Sequence, residues 1–141
     1  MGERAIARMR IRTLRRTLLI SLVLVTAPVV GQEKATDLEI AQLPKFCWEQ
    51  MGSKVAKGPA FRIPKGCGPG MNHYCPGLVQ LVRAKHQLKK SASLSLLGRA
   101  EGAAKYTLEW MQGYPNCAIR SHVEATLAEI RSLQLKAKSQ K

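Results

Sequence analysis

The chain has no Cys-x-x-Cys pair, few aromatic side chains, few acids and no stretch of strict apolar–polar alternation. Each lack closes a class. Without Cys-x-x-Cys there is no thiol oxidoreductase of that type, and without Cys-x-x-Cys-His no c-type haem attachment. The same missing pairs remove a four-cysteine zinc site. Aromatics make up 5% of the residues, too few for the basic surface with interleaved stacking rings that binds nucleic acid. His73, His86 and His122 are present and Ser121 adjoins His122. None of them stands in a motif with a nucleophile and an orienting acid. No catalytic residue is therefore assigned, no cofactor is expected, and the chain is not read as an enzyme. The longest uncharged apolar run, 17–30, is shorter than the ~20 residues that cross a bilayer as a helix.

What is present begins with charge. The net charge is +14, and it is uneven. Residues 1–31 carry six arginines against one glutamate, whereas 17 basic and 8 acidic side chains follow, about +9 on the remainder. Arginines followed by the short apolar run and then small residues read as a secretory signal peptide over 1–31, with cleavage expected after Gly31. An uncleaved anchor in the inner membrane is the alternative. Arg15-Arg16 also resembles the core of a twin-arginine export signal. Either way the remainder is expected outside the cytoplasm, in a bacterial reading in the periplasm.

The chain beyond the leader is organised around Gly66 to Gly77, Gly-Cys-Gly-Pro-Gly-Met-Asn-His-Tyr-Cys-Pro-Gly, which holds two of the four cysteines. Residues 32–43 read as a flexible lead-in. Pro44 suits a first helical position, and Phe46, Cys47, Gln50 and Met51 give a short helical pattern with Trp48 beside it. Pro59, Pro64 and Pro69 make 53–70 a long loop, of the kind that is functional or tied down. Cys75, Leu78, Val79 and Val82 then fall on one helix face, widened by Leu81, Ala84 and Leu88. Pro76 places the start of that helix near Asn72–Cys75, because a proline is tolerated only in the first turn. Ser91-Ala92-Ser93 breaks the pattern. A second helix is predicted from Leu94 to Gln112, with Leu97, Ala100, Ala104, Leu108 and Met111 inward, stopped by Gly113-Tyr114-Pro115. A third has Ile119, Val123, Thr126, Leu127, Ile130 and Leu133 inward, and 136–141 reads as a frayed basic tail. The fold expected over 44–135 is all-α, a small bundle of three to four antiparallel helices.

Ala100-Glu101-Gly102-Ala103-Ala104 gives the second helix a face of small residues that admits a close neighbour, and bulky Tyr106, Leu108, Trp110 and Met111 follow. With Pro115 and the helix after it, the stretch from about Asn72 to Leu133 resembles a tetratricopeptide-type helical hairpin, with Ala103 and Pro115 at the repeat's small residue and terminal proline. The resemblance implies a protein-binding or scaffolding surface rather than catalysis. Trp110, Tyr114, His73 and Tyr74 are the candidate binding residues.

Four cysteines in a small exported domain read most simply as two disulfides, of which three pairings are possible. With helices running up and down, Cys47 and Cys75 lie at similar height, and Cys67 and Cys117 lie in loops at one end of the bundle. Cys47–Cys75 and Cys67–Cys117 are therefore predicted. A sharper alternative for the same segment is copper handling through the thioether of Met71 and the imidazole of His73. The expected partner is a protein of the cell envelope, with an acidic surface as the complement to the basic charge. No nucleic acid is expected, and no membrane except through an uncleaved leader.

Overall fold

A computed structural model describes residues 34–139. The leader expected over 1–31 lies outside the described residues, as do Gln140 and Lys141. Four α-helices follow in order: α1 (Asp37–Ala41), α2 (Met71–His86), α3 (Lys90–Trp110) and α4 (Arg120–Ser139), with no strand among the described residues. The long helices α2, α3 and α4 form the body, α3 packing against both others. The fold is all-α and braced by two disulfides, Cys47–Cys75 and Cys67–Cys117.

Most differences from the sequence reading lie at element ends, and each has a physical reason. The supposed lead-in carries α1, because Thr36 and Glu39 form a capping box: the Thr36 hydroxyl accepts from the Glu39 N–H and the Glu39 carboxylate accepts from the Thr36 N–H. Ile40 and Leu43 are buried in the core that follows. Pro44 caps a single 3-10 turn, Lys45–Cys47, instead of opening an α-helix. The chain then continues as turns, with a second 3-10 turn at Pro59–Phe61.

Helix α2 starts at Met71, which leaves Pro76 as its sixth residue, in the second turn and not the first. A proline there supplies no N–H to the carbonyl four residues back, that of Asn72. The Gln50 side-chain amide donates to that carbonyl at 2.9 Å. This is how the helix tolerates the proline. The break before α3 falls at 87–89 rather than at Ser91–Ser93, since the Ser93 hydroxyl donates to the Ala84 carbonyl at 3.0 Å and keeps the serines in the helix. Leu88, expected on the buried stripe, is 98% exposed in that turn. Helix α4 runs to Ser139, so most of the supposed frayed tail is helical, and Ser121 lies inside its first turn.

The helical body rests on small residues where helices touch. A Cβ built on Gly77 would lie 2.5 Å from the Ala103 Cβ. Any side chain there would force α2 and α3 apart. Ala100 and Ala104 are buried on the same side of α3, with Leu78, Val79, Val82 and Leu97 in the shared core. On α4, Val123, Thr126, Leu127 and Ile130 are buried, with Leu133 partly so.

Candidate functional site: an aromatic ridge on the glycine-rich junction

The segment Gly66–Gly77 is where the irregular chain, α2 and the end of α3 meet. Cys67 ties it to Cys117 beyond α3, and Cys75 ties it back to Cys47. Its glycines fit specific neighbours. A Cβ on Gly70 would sit 2.6 Å from the Trp110 Cβ, and a Cβ on Gly68 2.5 Å from the Tyr114 ring. Gly68 also has φ of +76°, the left-handed region that glycine enters without strain. The buried Thr107 hydroxyl lies 3.0 Å from the Gly70 carbonyl and 2.9 Å from that of Ala103, sharing its proton between them. The junction is thus seated directly under the last turns of α3.

Above it stands a row of rings. Tyr106 and Trp110 lie one helical turn apart with centroids 6.2 Å from each other, edge to face. His73, near the start of α2, packs on Tyr106 at 4.5 Å. Tyr114 continues the row after the 3-10 turn Met111–Gly113. Tyr106, Trp110 and Tyr114 are 40%, 44% and 37% exposed, large fractions for rings of this size. With Glu109 and Gly113 they line a shallow, open groove of about 510 Å³. Arg120 donates to the Met111 carbonyl and so fixes the turn from which Tyr114 projects.

Of the candidate binding residues, the structure brings His73, Trp110 and Tyr114 to this face and removes Tyr74. Tyr74 is buried, stacked on Phe46 at 6.5 Å, and its hydroxyl meets that of Thr126 at 2.7 Å. The Thr126 proton goes to the His122 carbonyl, so Tyr74 is the donor in that pair. Burial pushes the phenol up to about 12, with the contact to Thr126 acting in the opposite direction. The helix period explains the difference: His73 and Tyr74 point about 100° apart. Tyr106 completes the row and carried a signal in its spacing, since 106, 110 and 114 step by one turn.

Met71 and His73 lie on different sides of α2, Met71 within the core and His73 in solvent against Tyr106. Cys75 is in a disulfide. Among the described residues no group of three or more His, Cys, Asp or Glu side chains is placed to hold a metal ion, and no helix is long and apolar enough to cross a membrane. His122 packs edge-on to Phe46 at 5.6 Å, and Phe46 and Trp48 are packed against the core. No family model, curated protein or solved structure matches the chain.

Proposed function

We propose that this chain is an exported, non-catalytic protein-interaction or accessory domain of the bacterial cell envelope, working in the periplasm. The observation that carries the reading is the row Tyr106, Trp110, Tyr114. Three large rings stand half in water on a scaffold locked from behind by two glycines and a disulfide. Aromatic anchors held rigid lose little entropy on binding and dominate protein interfaces. Two disulfides suit an oxidising compartment. The antiparallel pair α2–α3, closed by the three-residue connection 87–89 and followed by α4, is read as a tetratricopeptide-like hairpin.

The test is capture from an envelope extract with the purified chain and with Trp110→Ala and Tyr114→Ala. Trp110→Ala should fold as the parent does, because it retains the Cβ that packs on Gly70, and Tyr114→Ala removes a half-exposed ring whose contact is the backbone at Gly68. The expected result is a captured protein that is lost with both variants while the melting temperature stays within a few degrees. Capture unaffected by either variant would remove the ridge as the binding surface.

A further inference from the structure

At the opposite end of α3 from the aromatic ridge, the chain gathers positive charge around an uncovered apolar tip. Helices α2 and α3 are antiparallel, with Gly77 level with Ala103. Helix α4 runs back along α3, fixed by the Gln134–Glu101 hydrogen bond at 3.0 Å and by the Lys85–Glu129 ion pair at 2.7 Å to α2. The C-terminal turns of α4 therefore lie at the same end of the bundle as the 87–89 turn. That end holds Lys85, His86, Lys89 and Lys90 from the turn region and Lys136 and Lys138 from α4. No Asp or Glu occurs between Gln50 and Ala100 or after Glu129. Three carboxylates on the flanking helices, Glu129, Glu101 and Glu39, are engaged by Lys85, by Lys105 and Arg131, and by Arg83 respectively. Lys89, Lys136 and Lys138 make no ion pair among the described residues.

Two leucines stand in this field. Leu88 is 98% exposed, at the tip of a turn held from the α1 side by the His86–Gln42 contact at 3.2 Å. Leu135 is 68% exposed in the last turns of α4, beside Lys136. An apolar side chain left bare at a tip has no packing role in the fold, and Lys89 and Lys136, each next to one of the two leucines, make no ion pair among the described residues.

We infer that this end of the bundle docks on an anionic phospholipid bilayer, with Leu88 and Leu135 entering the headgroup layer and the lysines meeting the phosphates. Lysine clusters near a surface bind anionic lipid electrostatically, and an apolar tip adds what a purely charged partner would not use. An acidic protein surface would satisfy the lysines but leave the leucines unexplained. The orientation that follows points the aromatic ridge away from the membrane.

The test is hydrogen exchange on the full chain with vesicles of phosphatidylglycerol and phosphatidylcholine, against phosphatidylcholine alone. The readout is local because the arginines of residues 1–31 are themselves able to bind anionic vesicles. Protection of the peptides over 86–92 and 134–139, only with phosphatidylglycerol and lost at about 0.5 M salt, is expected. Lys89→Gln and Lys136→Gln should each raise the lipid concentration needed for half protection about fivefold. Leu88→Ser should raise it as well. Unchanged exchange in both peptides, or equal protection by phosphatidylcholine, would overturn the inference. So would equal protection by polyglutamate that Leu88→Ser leaves intact, which would assign the surface to an acidic polypeptide.

Discussion

Residues 44–70 and residues 71–139 join the same core by different means. The later part is held by surfaces: helix faces meet along their length, with Gly77, Ala100 and Ala104 where they come closest. The earlier part has two single 3-10 turns and is held at points. Cys47 is fixed to α2, Cys67 to Cys117, Trp48 donates to the Leu43 carbonyl at 3.0 Å, and Glu49 pairs with Arg62 at 2.6 Å. A helical body of this size has a modest core, and the apolar side chains that 44–70 adds beside its two cysteines, Phe46, Trp48, Met51 and Ile63, are only partly buried against it. The contrast teaches where the cross-links matter. Each bridge has one end in the irregular segment and the other in the helical part, so covalent bonds add to the partial packing of Phe46, Trp48, Met51 and Ile63 against the core.

The largest effect that tests this division comes from the bridges. They close separations of 28 and 50 residues, and for loops of that length each contributes about 4 kcal/mol through the unfolded chain. Replacing Cys47 and Cys75 together by alanine, or Cys67 and Cys117, should lower the unfolding free energy by about that amount in urea. Hydrogen exchange should show protection lost over 44–70 first while α2 and α3 keep theirs. Equal loss in both regions would mean that the helical body depends on the segment as much as the segment depends on it.

Next is the helix contact. Gly77→Leu should cost about 2–3 kcal/mol, because the added side chain meets Ala103 with no room to turn. Gly102→Ala, with nothing within 4 Å of the new Cβ, should stabilise by about 0.5–1 kcal/mol through helix propensity alone. A similar cost at both positions would contradict the close packing of α2 on α3.

The attachment of α1 combines the buried Ile40 with an ion pair, and pH separates the ion pair from the rest. The Arg83 guanidinium holds the Glu39 carboxyl at about 2, well below its usual range, at N···O distances of 2.6 and 3.1 Å. A carboxyl depressed in the folded state stabilises above its unfolded pKa and loses that contribution as pH falls through the folded one. Stability should therefore decline between about pH 4.5 and 2, by about 2 kcal/mol from this pair after allowance for solvent screening. Glu39→Gln should flatten that part of the pH profile. Glu101, lowered by its hydrogen bond to Lys105, acts in the same direction. A smaller effect is expected from Gln50→Ala, about 0.5–1 kcal/mol, since it strips the Asn72 carbonyl of the donor that Pro76 cannot supply.

The parts of this architecture that the sequence makes legible are those set by periodicity and by the count of cysteines. The inward faces of the three long helices follow from apolar spacing, and the small-residue face of α3 follows from Ala100 to Ala104. The cysteine pairing also follows from placing loop and helix ends at matching heights, although the element carrying Cys47 is one 3-10 turn and not a helix. Helix ends depend on side chains far away in sequence. Pro76 in a first turn is a local rule, and a glutamine 22 residues upstream in space beside Asn72 relaxes it. Tyr74 and His73 are neighbours with opposite fates, decided by which side of α2 meets Thr126 and which meets Tyr106. The capping box at Thr36–Glu39 was readable in the residues themselves and marks α1.

The glycine-rich segment is the centre of the account: its two cysteines serve different bridges, and its glycines admit Trp110, Tyr114 and Ala103. Proteolysis without reductant, followed by mass spectrometry of the linked peptides, tests that most directly. The predicted result is one peptide pair joining Cys47 to Cys75, one joining Cys67 to Cys117, and no free thiol. A Cys67–Cys75 bridge closed within the segment, or four free thiols, would contradict it.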